Sequence, residues 1–293
     1  MAVVLITGCS SGFGQAAAKA FAANGDTVFA SMRNPAQGVA IADAAKARGW
    51  DIRLLQLDVT QPDTFAPLID TIVQRCGRLD VLVNNAGVIR LGAFEDLTAT
   101  QFRAVMETNT IAPLLLTRAV LPQMRRQKSG CIIMISSLSG VAGLPGDVAY
   151  TASKFAIEGA TEALRHEVDR WNVRVALVEA GLYATRIFES SMDHASPLPR
   201  DYPADSPYRE LITYKLGELR KRIPEAFDPQ IVGDLLVKIA ASDGRQLRWP
   251  ADAVATRVLG TLFGQDDAAR DQFLRKVSGT DWWSERREPP AQS

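Results

Sequence analysis

Short apolar, β-branched runs alternate along this chain with alanine-rich stretches of helical period, and that alternation restricts the fold more than any other feature. The runs begin with VVLI at Val3 and continue over residues 27–31, 52–57, 79–84, 131–136 and 173–178. Helical patterns fill residues 15–23, 35–47, 63–75, 98–126 and 150–171. Six strands joined by helical crossovers predict an α/β doubly wound parallel sheet flanked by helices on both faces. Sheets of this kind bind ligands beyond the carboxyl ends of their strands, so the residues just after each apolar run are the candidates for chemistry.

Beyond residue 178 the texture changes. Residues 182–229 contain Pro197, Pro199, Pro203, Pro207, Pro224 and Pro229. They read as an irregular excursion, and the interleaved Tyr183, Phe188, Met192, Tyr202 and Tyr208 suit a cover over a substrate site. A helix over 228–240, a short strand over 246–250 and a helix over 252–263 follow, with a frayed tail from about residue 279. Trp282 and Trp283 are expected to pack that tail onto the body or onto a neighbouring subunit. The 293 residues are read as one domain with this lid.

Charge and cysteine usage narrow the function. The 33 basic and 33 acidic side chains cancel, which gives no support for a broad grip on nucleic acid. Cys9, Cys76 and Cys131 are odd in number and widely spaced, so neither a disulfide framework nor a zinc site is expected. No apolar run reaches the roughly 18 residues of a membrane helix. The N-terminal MAVVLITG has no basic residue ahead of its apolar run, the first being Lys19. A secretory leader is therefore not expected, and the cytoplasm is the expected location.

After the first run comes T7-G8-C9-S10-S11-G12-F13-G14 and then a helical pattern, an arrangement that aims backbone N–H groups and a helix dipole at a phosphate. An acid some 20 residues past the glycines would hold a free ribose 2′-hydroxyl, but none stands between Asp26 and Asp43. Arg33 stands there instead, and its planar fork suits a 2′-phosphate. NADP(H) is favoured over NAD(H), with Ser11 as a helper; the alternative is that Arg33 is a solvated loop residue.

Tyr150 and Lys154 are four apart in a helical stretch and so share a face one turn apart. A cation near the phenol would pull its pKa down from about 10 and equip it to exchange a proton with substrate. Just past the 131–136 run, Ser136, Ser137 and Ser139 each offer a hydroxyl to a reacting oxygen. His166 and His194 have no nucleophile elbow or acidic partner order to make them hydrolytic.

Together these motifs resemble the short-chain dehydrogenase/reductase family over roughly residues 2–186. The loop at Gly8, Gly12 and Gly14 resembles its T-G-x-x-x-G-x-G, Asn84 to Gly87 its N-N-A-G, and Tyr150 with Lys154 its Y-x-x-x-K. The resemblance implies a Rossmann-type fold and a homodimer or homotetramer. It implies catalytic roles for Asn109, Ser137, Tyr150 and Lys154, the spacing to Tyr150 picking Ser137. Lys154 is implied to hold the nicotinamide ribose, and Asn109 a water that relays protons from Lys154.

For the cofactor it implies Gly8, Ser10, Ser11, Gly12, Phe13, Gly14, Asp58 and Val59 at the adenosine and phosphate end. Asn85, Ala86, Gly87, Gly181, Leu182 and Thr185 are implied along the rest of the dinucleotide. The family's Pro-Gly after the sixth strand is Ala180-Gly181 here, so the ring that fixes φ is absent. Several segments look most like the hydroxysteroid and retinol dehydrogenase branch. The expected reaction is NADP(H)-dependent interconversion of a ketone or aldehyde and its alcohol on a hydrophobic, ring-bearing small molecule. Ser137, Leu138, Leu144, Tyr150, Tyr183 and Phe188 are its expected contacts. The rival readings are a dinucleotide sensor without turnover and an NAD-dependent sugar-nucleotide epimerase or dehydratase.

Overall fold

The first strand shows how the chain is divided into layers. Val4 and Ile6 enter one apolar core and Val3 and Leu5 the other, all buried, because successive side chains of a strand point to opposite faces. In the computed structural model, which describes residues 1–188 and 196–290, seven strands repeat this pattern. They are β1 (Val3–Ile6), β2 (Thr27–Met32), β3 (Ile52–Gln56), β4 (Val81–Asn84), β5 (Gly130–Ile135), β6 (Val173–Glu179) and β7 (Arg248–Pro250). Every pairing is parallel and the order is β3-β2-β1-β4-β5-β6-β7. The chain starts in the middle, winds to one edge, returns past β1 to β4 and winds to the other edge. The crevice between β1 and β4 is therefore the topological switch point.

Helices cover both faces. On one lie α1 (Gly12–Ala23) and α2 (Val39–Arg48). On the other are α3 (Phe65–Cys76), α4 (Ala99–Met106), α5 (Ala112–Gln127) and α6 (Val148–Val168). Later come α7 (Arg209–Arg222), α8 (Gln230–Ala240), α9 (Ala253–Leu262), α10 (Asp267–Ser278) and α11 (Asp281–Ser284). Phe21, Ile41, Val232 and Leu236 fill the core under α1, α2 and α8; Phe65, Ile72, Leu116, Met124 and Ile157 fill the one under α3, α5 and α6.

Three expectations need correction. The predicted helix over 98–126 is α4 and α5 joined by a π-turn at Glu107–Ile111, which carries Asn109. Residues 182–229 are not irregular throughout, because α7 lies within them. It buries Leu211, Ile212 and Leu216 and places Glu210 in its first turn and Arg220, Lys221 and Arg222 in its last. Those charges complement the helix dipole. Nor does the chain fray from residue 279. Trp282 on α11 is 3% exposed and packs edge-on to Tyr214 of α7 and to Trp283, so the tail is stapled to the body. Met192 and His194 lie outside the described residues.

The segment before α7 is fastened to the loop that follows β4. Tyr202 Oη and Ser206 Oγ both donate to Asp96 Oδ2, the latter at 2.7 Å. Tyr208 Oη donates to Glu95 Oε2 at 2.8 Å, and Arg90 pairs with Asp201 at 2.6 Å.

Candidate active site

The glycine loop takes a conformation that other residues would resist. Gly8 and Gly12 have φ of +73° and +55°, the left-handed region. A Cβ on Gly14 would lie 2.4 Å from the Gly8 carbonyl oxygen, and one on Gly8 would lie 2.8 Å from Ala86 Cα. Ser11 is the N-cap of α1 but makes no capping bond, so the first N–H groups of the helix face outward without a partner from it. Across the crevice, Asn85 Nδ2 donates to the carbonyls of Thr7 and Gly8 at 2.8 and 3.1 Å. The N–H groups of Asn85 and Ala86 both reach Thr7 Oγ1 at 3.0 Å. A side chain at Gly12 would meet Thr185 Cγ2 at 3.1 Å, which places Thr185 against the loop. This is an anion cradle, and a dinucleotide's phosphates fit it.

At the end of β2, Arg33 is exposed. Among the described residues its side chain makes no hydrogen bond, and it lies near enough to Asp58 to help hold that carboxyl below its usual range. The larger cause of that lowering is the pair of bonds from Thr60, at 3.0 and 2.8 Å. Val59 packs at the edge of the core beside it. Arg33 and Asp58 thus stand side by side past the ends of β2 and β3.

Four candidate residues converge from three elements. Ser137 caps the turn after β5, its Oγ accepting from Ser139 N–H at 3.1 Å, and its side chain lies near enough to the Tyr150 phenol to favour the phenolate. The other two serines are committed elsewhere: Ser136 Oγ donates to Glu158 Oε1 at 2.5 Å and Ser139 Oγ to Asp147 Oδ2 at 3.1 Å. Of the three serines, Ser137 is the one whose side chain lies beside Tyr150. Lys154 is buried one turn beyond Tyr150, with Nζ 5.5 Å from the Tyr150 ring centroid and donating to the Ile135 carbonyl at 2.7 Å. Asn109 Nδ2 donates to Val88 O at 2.8 Å and Ser153 Oγ at 3.0 Å, while its Oδ1 accepts from Val88 N–H at 2.9 Å. Both amide hydrogens are spent on protein, so the side chain braces the NNAG loop against α6. Gly87 sits against the same carboxamide, its Cβ position 3.4 Å from Asn109 Oδ1.

The expected fall in the Tyr150 pKa is not what this environment produces. Burial pushes the phenol up to about 12, outweighing the Ser137 side chain beside it, and the nearby Asp147 carboxylate adds to the rise. The Lys154 ammonium points to the Ile135 carbonyl and is itself pushed down to about 8 by burial, partly restored by Glu158. Both groups therefore hold their protons at neutral pH. Asp147, burdened by burial despite bonds from Thr151 and Ser139, is raised to about 6.

The expected substrate contacts divide. Phe188 packs with the apolar cluster that contains Tyr150 and the segment before α7. Leu138 packs toward α9, and Leu144 is half-buried between Ser137 and Tyr150 in the chain. Tyr183 does not join Tyr150: it is buried in the other core, edge-on to Phe13 at 5.0 Å and beside Phe227 at 5.6 Å. It secures Phe13 and the glycine loop rather than facing substrate. Ser10 lies beside the same crossing, its carbonyl accepting from Arg186 at 3.5 Å. Gly181 N–H donates to Asp252 Oδ2 at 3.3 Å, which ties the Ala180-Gly181 turn, and Leu182 after it, to the start of α9. Sequence reasoning missed Asp252, whose only signal was its N-cap position before an apolar helical run.

A parallel sheet with an anion cradle at its switch point and a Ser–Tyr–Lys cluster at the neighbouring strand ends defines a dinucleotide-dependent oxidoreductase architecture. The sequence pattern of the short chain dehydrogenases matches residues 2–196, and the chain belongs to that family. Retinol dehydrogenase 8 of Bos taurus is 34% identical over 254 residues, covering 84% of this chain and 80% of its own. A short-chain dehydrogenase from Streptomyces avermitilis superposes with a TM-score of 0.76 at 31% identity, covering 97% of both chains. A metagenomic short-chain oxidoreductase in complex with NADP gives a TM-score of 0.65 at 26% identity, covering 85% of this chain and 96% of its own. No described helix is long and apolar enough to cross a membrane.

Proposed function

We propose that this protein reduces a hydrophobic ketone or aldehyde to its alcohol with NADPH. Bound at the glycine cradle, the nicotinamide cofactor supplies hydride to the carbonyl carbon. Tyr150 carries the reading. Its buried phenol, beside Ser137 and raised to about 12, retains a proton for the carbonyl oxygen. Ser137 donates to the same oxygen and stabilises the charge that develops on it. As Tyr150 gives up its proton, the Lys154 ammonium, 5.5 Å from the ring centroid, stabilises the phenolate left behind. On this reading Lys154 would also hold the nicotinamide ribose, while Asn109 keeps Ser153 and the NNAG loop in register.

Cofactor choice rests on Arg33, exposed at the end of β2 with no acid in the position that would hold a free ribose 2′-hydroxyl. The relative that acts on retinol supports an apolar substrate, as does the cluster of Phe188, Leu198 and Tyr202 around Tyr150. The segment before α7, fastened to the loop after β4, serves as the cover of that site. Assembly as a homodimer or homotetramer in the cytoplasm completes the proposal.

The test is NADPH oxidation, followed at the nicotinamide absorbance, against a panel of bulky ketones and aldehydes. Turnover is expected with wild type, and Tyr150→Phe should lower it by about 10²-fold or more while leaving NADPH binding in place. Tight NADPH binding with no carbonyl reduced and no alcohol oxidised would overturn the assignment in favour of a dinucleotide sensor.

A further inference from the structure

The stripe that begins with Tyr150 and Lys154 does not end there. Two further acids follow at the same spacing of four, Glu158 and Glu162, so four ionisable side chains run along one face of α6 from the site toward solvent. Glu158 is buried, and its two oxygens hold different partners. Oε1 accepts from Ser136 Oγ at 2.5 Å, and Oε2 pairs with Arg248 Nε at 2.9 Å. Ser136 lies between two working parts of the site: the Ile135 carbonyl that anchors Lys154 Nζ and the Ser137 hydroxyl that lies beside Tyr150. Gly140 leaves room for this contact, since a Cβ there would fall 2.6 Å from Ser136 Oγ and 3.2 Å from Glu158 Oε1.

We propose that Glu158 is a positioning residue for the reaction: through Ser136 it holds the end of β5 that presents Ser137 and anchors Lys154, and its carboxylate is the buried counter-charge of the Lys154 ammonium. This rests on the role given to Lys154 above. Glu158 touches Ser136 at the end of β5 and Arg248 on β7, and the charged groups within its electrostatic reach are Lys154 and Glu162, each one turn away on its own helix, and Glu179 on β6. Arg248 binds Glu162 as well, at 2.7 Å, and stands 4.0 Å from Glu179, so one guanidinium balances the acids around it. Burial pushes the Glu158 carboxyl up, while Ser136 and Arg248 oppose that rise and favour the ionised form. Lys154 Nζ is held by the Ile135 carbonyl, and Glu158, one turn along the same buried face of α6, is the carboxylate placed to offset the burial that lowers it.

The experiment is the titration of the Lys154 side-chain resonance by NMR, assigned against Lys154→Arg, in wild type, Glu158→Gln and Arg248→Gln. In parallel, the pH profile of NADPH-dependent reduction is recorded for the same proteins. Glutamine keeps an acceptor for Ser136 but removes the charge. In Glu158→Gln the Lys154 titration and the alkaline limb of the profile should both move to lower pH by about one unit. Arg248→Gln, which withdraws support from the carboxylate at the sheet edge, should move them the same way by less and remains informative if Glu158→Gln fails to fold. A purely structural role would lower the melting temperature and the rate at every pH without moving either midpoint. An unmoved Lys154 titration in the folded variants overturns this inference and leaves carbonyl reduction standing. If wild type turns nothing over, that reading falls, and the titration still decides whether Glu158 supports Lys154.

Discussion

Gly14 offers a measurement whose size follows from the geometry of the loop. A methyl group there would lie 2.4 Å from the Gly8 carbonyl oxygen and 2.6 Å from Asn85 Nδ2, whereas ordinary contact begins at 3.4 Å. In Gly14→Ala the carbonyl must retreat by about 1 Å, which disturbs the two bonds by which Asn85 holds Thr7 and Gly8. Overpacking of this kind costs about 1–3 kcal/mol and the two bonds about 1 kcal/mol each, against about 1 kcal/mol gained by replacing a helical glycine. The net loss is about 2–4 kcal/mol, and at about 2 °C per kcal/mol for a chain of this size the melting temperature should fall by about 4–8 °C. The affinity for NADPH should drop at least about 10-fold, because the displaced groups form the cradle. Gly159→Ala is the control: it lies within α6 with nothing within 4 Å of its Cβ position, so it should gain up to about 1 kcal/mol. Thermal melting and fluorescence titration with NADPH read both variants. A Gly14→Ala protein that melts within about 1 °C of wild type and binds NADPH equally well would refute the reasoning.

Arg33→Ala should weaken NADPH by about 10-fold with little effect on NADH, the worth of one charge-assisted contact, as measured by titration with each cofactor; equal losses would remove Arg33 from cofactor choice. Glu179 is fully buried and both its carboxylate oxygens lack a hydrogen-bond partner, and burial with help from Glu158 raises it to about 8. The folded protein therefore keeps a proton that the unfolded chain releases near pH 4.5, so this group's contribution to stability is present at low pH and lost as pH rises toward about 8. Glu179→Gln should flatten the fall in melting temperature between pH 5 and 9, and an unchanged slope would show that Glu179 does not bind that proton.

The sheet was legible because the five central strands are short buried runs whose flanking turns leave few alternatives, and the half-buried edge strands β3 and β7 were recognisable in IRLLQL and QLRWP. The chemistry was legible where spacing alone brings groups together, as with Tyr150 and Lys154. What escaped depends on tertiary surroundings. α7 is flanked by Pro203, Pro207, Pro224 and Pro229, which mask a helix whose buried residues are only Leu211, Ile212 and Leu216. α10 buries still less of itself: Ser278 is its one fully buried residue, and Phe273 and Leu274 are only half-buried against α9. Tyr183 sits beside substrate candidates in the chain, yet the turn after Gly181 sends it to Phe13 and Phe227. The direction of the Tyr150 shift was misjudged because a helical spacing reports neither the burial of the phenol nor that the Lys154 ammonium turns to the Ile135 carbonyl.

Asn85 has a kinetic consequence. Its carboxamide spans from β4 to the loop after β1, so the two halves of the crevice are clamped before any ligand arrives. A guest entering such a preset mould need not recruit scattered chain segments, and the entropy of assembling them is absorbed when the polypeptide folds. Association should then follow a single bimolecular phase whose rate grows linearly with dinucleotide concentration, and loosening the clamp should first appear as faster escape.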